Sequence, residues 1–114
     1  RAAGYRRVRA QVVVIGEPGV DEGQLARDII SALDLFVNPL YGGPDGTGWP
    51  FGRELYLSDL YACVQQVKGL RYVQEIRMSW VDETEMAHPV KRKIELLAHE
   101  ILVSDRHQVR VEFE

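Results

Sequence analysis

The stretch from Pro39 to Arg53 constrains this chain more than any other. It reads Pro-Leu-Tyr-Gly-Gly-Pro-Asp-Gly-Thr-Gly-Trp-Pro-Phe-Gly-Arg, with five glycines and three prolines. Proline has no amide donor and glycine loses most freedom on ordering, so neither a helix nor a central strand can run through it. Any fold must divide its regular elements between the two sides of a long connection. Leu40, Tyr41, Trp49 and Phe51 are nevertheless too apolar for a floppy linker. The reading is an ordered loop pinned by large side chains, with glycines supplying turns at positive φ.

Upstream, Val8, Ala10, Val12 and Val14 alternate with Arg7, Arg9 and Gln11, the period of a half-buried strand from Tyr5 to Ile15. A helix follows, with Asp21 as cap, Gln24 at the capping-box position and Val20 with Leu25 as staple. Leu25, Ile29 and Leu33 form its apolar stripe, and Asn38-Pro39 ends it. Downstream, Arg53 to Leu57 suits a short strand, and Ser58 is the expected cap of a second helix burying Leu60, Tyr61, Val64 and Val67. Gly69 is expected as its left-handed cap. Tyr72 to Val81 alternates again, with Tyr72, Ile76, Met78 and Trp80 on one face; Asp82 to Pro89 reads as a polar turn. Ile94 and Leu96 suggest another strand, and Leu97 to Ser104 fits helix or strand equally. His107, Val109, Val111 and Phe113 close the chain on a strand. The expected class is α+β: a two-layer sandwich, mostly antiparallel sheet with two helices on one face, broadly ferredoxin-like.

A length of 114 residues suits a single domain, 1–114. Arg1 in place of Met, and a last segment that reads as strand, suggest a processed chain or part of a longer one. A net charge of −3 argues against nucleic-acid binding, which needs a basic face to displace counterions. Arg1, Arg6, Arg7 and Arg9, and the run Lys91-Arg92-Lys93, read as a solvated strand face and a solvated turn, or as contacts with an acidic partner. One cysteine, Cys63, permits no internal disulfide and is expected to pack as a small apolar group. No apolar run approaches a membrane span, and the chain is expected to be soluble.

Little in the sequence reads as catalysis. The glycine loop lacks the lysine and following helix of a phosphate-binding loop and does not match a dinucleotide fingerprint. Asp45 alone is too few oxygens for calcium and is expected to bond local amides. Cys63, His88, His99 and His107 show no zinc spacing, and no cofactor is expected. His107, on the apolar face of the last strand, is expected to be a hydrogen-bonded core histidine, and His99 a turn residue. Trp49 and Phe51 could anchor an interface or plug the domain's own core.

Phe36 to Arg53, followed by Leu57-Ser-Asp-Leu-Tyr61 and Val67-Lys-Gly-Leu-Arg-Tyr-Val73, resembles the C-terminal region of baseplate assembly proteins. These are the baseplate J-like wedge subunits of contractile-tailed phages and extracellular contractile injection systems. In that family a helix ends in a Pro-Leu motif, a Gly-Gly-x-x-Gly-x-Gly-Trp-Pro-Phe-Gly-Arg loop follows, and the next helix closes in a Val-x-Gly-Val-like turn. Leu70 stands where the family usually has valine, and the upstream domains of the longer family members are missing here. The resemblance implies a non-enzymatic C-terminal domain of a wedge protein, assembled in the bacterial cytoplasm into a phage-tail-like particle. Its partners would be wedge subunits of the same or a paralogous chain, with spike, hub and sheath-proximal proteins nearby. Gly42, Gly43, Asp45, Gly46, Gly48, Trp49, Pro50, Phe51, Gly52 and Arg53 match the motif and would build a rigid loop beside a subunit contact. The alternative is a free-standing ferredoxin-like binding or regulatory domain that takes a small ligand in this loop. A third reading is the accessory domain of an enzyme whose active site lies elsewhere.

Overall fold

The computed structural model describes residues 4–114; Arg1 lies outside them. Strand β1 (Gly4–Gly16) leads through helix α1 (Glu22–Phe36) and the glycine loop to a two-residue strand β2 (Leu55–Tyr56) and helix α2 (Leu57–Gln65). Strands β3 (Leu70–Val81), β4 (Ala87–Val90), β5 (Lys93–Ile94), β6 (Glu100–Ser104) and β7 (Gln108–Glu112) follow.

The main sheet runs β4-β3-β1-β6, with β7 also on β1. β1–β3 and β3–β4 are antiparallel. On its other edge β1 carries two parallel partners end to end, β6 beside Gly4–Val8 and β7 beside Gln11–Ile15. The result is a two-layer α+β sandwich, mostly antiparallel, broadly ferredoxin-like in its layering. One face holds Val8, Ala10, Val12 and Val14, all buried, and both helices cover it with Leu25, Ile29, Leu33, Leu60 and Val64. The alternation of β1 sets this arrangement, because residues two apart share a face.

Helix α1 starts as its sequence predicts: Asp21 Oδ1 accepts the Gln24 amide at 3.0 Å. The Gln24 side chain turns to Asp28 and does not complete a capping box. Helix α2 does not use Ser58 as cap. It begins at Leu57 with Tyr56 as cap, two residues earlier than expected, and Asp59 reaches back to accept the Tyr56 amide at 2.9 Å. Gly69 has φ +106° in the turn after α2, where its carbonyl accepts the Glu17 amide at 2.8 Å.

Three strand expectations change. A register shift between Val13 and Val14 makes β3 bulge, so Val73 takes the inward position and Tyr72 is left exposed. An extra residue in one strand moves every later side chain to the other face. The polar turn after β3 is shorter than Asp82–Pro89. Asp82 Oδ1 accepts the amides of Thr84 and Met86, and the chain returns as β4 from Ala87. The ambiguous segment resolves as turn, with His99 in it, and then strand β6. A small second sheet pairs buried Leu55 with buried Ile94, clamping the 91–96 segment to the start of α2.

Candidate functional site

The glycine loop is ordered through its backbone, and Asn38 organises it. The Asn38 carbonyl accepts Gly42 N at 2.9 Å and Trp49 N at 3.1 Å, while its Oδ1 accepts the amides of Leu40 and Tyr41. Gly43 N donates to the Phe36 carbonyl and Gly48 N to that of Gly42. The loop is thus stitched to the end of α1 and to itself. Gly43, Gly46, Gly48 and Gly52 all have positive φ. Gly48 shows the constraint best: φ is +115°, and a Cβ there would overlap the Pro39 carbonyl oxygen. Gly52 N donates to the Glu100 carbonyl at 3.1 Å, which fastens the far end of the loop to β6.

Trp49 and Phe51 take opposite roles. Trp49 is 2% exposed, meets Phe36 edge-on at 5.4 Å and donates Nε1–H to the Arg53 carbonyl at 2.9 Å. It plugs the domain's own core. Phe51 is 65% exposed, beside exposed Pro50. Leu40 and Tyr41 do not pin the loop as expected but point to solvent. The exposed Arg53 guanidinium lies 5.5 Å over the Trp49 ring. Asp45 stands exposed at the outer turn, and the expected amide bonds are made by Asn38 instead, whose Oδ1 lies under the turn that brings the Leu40 and Tyr41 amides back towards it. Between the loop, α1 and α2 lies an open groove of about 590 Å³, with Phe36, Tyr41, Gly42, Gly43 and Cys63 in its lining and Asp59 as its only charged residue. Burial pushes the Cys63 thiol up to about 11, and its Sγ lies 3.5 Å from the Ala32 carbonyl.

His107 is held in the core. Its Nδ1 accepts the Ala10 amide at 3.0 Å, so the neutral ring carries its proton on Nε2. Nε2 faces Ser104 Oγ at 3.0 Å and Asp34 Oδ1 at 3.4 Å. Ser104 is three residues from His107 in the sequence, and folding brings the distant Asp34 to them. A nucleophilic triad needs serine on one ring nitrogen and the carboxylate on the other. Here both lie on Nε2, and Nδ1 is occupied by a backbone donor, so the cluster cannot activate Ser104. Burial lowers the histidine pKa, against the opposing pull of Asp34 and Asp105.

No protein-family model matches this chain, and no curated protein does either.

The arginines expected on a solvated face are tied into ion pairs. Arg7 and Arg9 reach the buried Asp105 at 3.1 and 3.3 Å, and Arg7 also contacts Glu85 and the Asp82 carbonyl. Arg6 meets the nearly buried Glu100 at 3.4 Å and lies 4.5 Å over Trp80, which stacks on His88 at 4.1 Å. The Leu97 amide holds the Glu100 carboxyl below its usual range, with help from Arg6. His88 Nε2 lies 2.7 Å from Asp82, whose carboxyl is held well below the ordinary range by His88, Thr84 and the Met86 amide. Sequence reasoning misses Asp105 and Glu100 as partners because they lie about 95 residues away along the chain. Lys93 pairs with Glu54 across the small sheet. Among the described residues, no group of three or more His, Cys, Asp and Glu side chains could hold a metal ion, and no helix is long and apolar enough to cross a membrane.

Proposed function

We propose that this domain is a non-enzymatic structural part of a phage-tail-like contractile injection baseplate. It packs against neighbouring wedge subunits, of the same or a paralogous chain, to build the ring around the spike and hub. In that place it couples triggering to sheath contraction. The observation that carries the reading is the loop itself: a backbone closed by its own hydrogen bonds presents Leu40, Tyr41 and Phe51 outward. A loop ordered before docking loses little conformational entropy on binding, and exposed aromatics on a rigid support are suited to anchor a contact. The motif resemblance of Gly42 to Arg53 supports the same reading.

The test is affinity isolation of the full-length protein from its source cells, with imaging and mass spectrometry of what co-purifies. Sheath and spike proteins at the end of a tube are expected. Phe51→Ala is expected to lose those partners while keeping the fold. Recovery of the wild type alone, or with metabolic enzymes, would overturn the reading. The groove between the loop and the helices favours one second reading, a small apolar ligand seated beside Tyr41 and Phe36; a ligand-dependent rise in melting temperature would support it.

A further inference from the structure

The main sheet has two edges, and they are not equally protected. On one side β4 is four residues long and carries Pro89, which has no amide to offer. On the other side, the start of β6 is covered where Gly52 N bonds to the Glu100 carbonyl. Strand β7 has no such protection. It pairs with β1 alone, and among the described residues no backbone hydrogen bond reaches its outer side. Its sequence, Gln-Val-Arg-Val-Glu, contains no proline, glycine or lysine, and its helix-side residues are the apolar Val109 and Val111. A bare strand of this kind is a template for another strand.

We propose that the strand it takes is β7 of a second copy of this chain, running antiparallel about a two-fold axis through Val111. Residues opposite one another in an antiparallel pair share a face, so register decides which charges meet. Centred on Val111, Arg110 lies opposite Glu112 of the second copy, and Glu112 opposite its Arg110. On the helix side Val109 meets Phe113 of the second copy, twice, and Phe113 is 47% exposed in the single chain. Centring on Arg110 would oppose two arginines, and centring on Glu112 two glutamates; like charges directly opposite are unfavourable. Centring on Val109 avoids like charges but leaves Arg110 opposite Gln108, so only the register centred on Val111 sets Arg110 opposite Glu112. Arg110 and Glu112 already lie side by side, 2.8 Å apart and exposed, so exchanging partners requires only side-chain rotation. The pairing gives one continuous sheet with both helix layers on the same face, the self-complementary geometry of a two-fold interface. It stands independently of the baseplate reading.

Sedimentation velocity of the 114-residue chain over a concentration series tests the proposal. The wild type is expected to dimerise. Arg110→Glu and Glu112→Arg are each expected to weaken the dimer by about tenfold or more, since each opposes like charges twice. An equimolar mixture of the two variants is expected to recover dimers, because every Glu then faces an Arg, and so is the double variant R110E/E112R. Both positions are exposed, so retained melting behaviour separates loss of pairing from loss of fold. A wild type that stays monomeric, single variants that dimerise like the wild type, or a mixture that stays monomeric would each overturn it.

Discussion

Trp49 and Phe51 stand two residues apart in one loop and meet opposite surroundings. Trp49 fills the space between Phe36 and the loop backbone, so truncation leaves a cavity and frees the Arg53 carbonyl. Trp49→Ala is expected to destabilise the fold by about 3–5 kcal/mol, read by urea denaturation. Phe51→Ala removes a side chain already in water and is expected to change stability by less than about 0.5 kcal/mol. Equal losses for the two would contradict this division between plug and exposed aromatic. An assembly defect in a Trp49 variant thus reports folding first, whereas Phe51 reports docking.

Among the elements, the loop depends on its glycines for reasons that differ by position. Gly46 has positive φ but open space around it, whereas Gly48 combines positive φ with a carbonyl in the way of any Cβ. Gly48→Ala is therefore expected to cost about 1–3 kcal/mol and Gly46→Ala less, since only the backbone preference opposes it. Paired thermal melts of the two variants check the order, and a Gly46 variant as damaged as the Gly48 variant would refute the steric account. The same reasoning explains how a loop this rich in glycine can be rigid. Its conformation is narrow because neighbouring backbone leaves no alternative, not because its residues prefer it.

For the molecule as a whole, acid should act in two stages. His107 joins β1, the β6–β7 junction and α1, and its folded pKa is lowered by burial. A lowered folded value means that the unfolded chain binds the proton more tightly. This contribution is complete above the ordinary histidine value near 6.5 and is lost as pH falls from there towards the folded value. Glu100 and Asp82 are also lowered, but as carboxylates they stabilise above their ordinary range and lose that contribution as pH falls through their folded values. Stability is expected to drop first below about pH 6.5 and again below about pH 4.5. In His107→Asn, whose amide oxygen can still accept the Ala10 amide, the first stage should disappear. A wild type equally stable at about pH 7.5 and 5.5 would rule out the His107 stage.

The periodicity of β1, the stripe and cap of α1, and the ordered glycine loop were legible in the residues alone. Each depends on local rules: a two-residue or 3.6-residue repeat, an acceptor near free amides, or a residue that permits positive φ. The α+β layering follows from adding these together. What only the tertiary structure decided depends on partners distant along the chain. The β3 bulge that turns Tyr72 outward exists relative to β1, and the pairing of Arg7 and Arg9 with Asp105 needs β6 to return beside β1. The same holds for the choice between Trp49 and Phe51, since burial is set by what packs over a residue and not by its own apolarity. It holds also for His107, whose buried place could be read from its strand face but whose partners Ala10 and Asp34 come from β1 and α1, far along the chain.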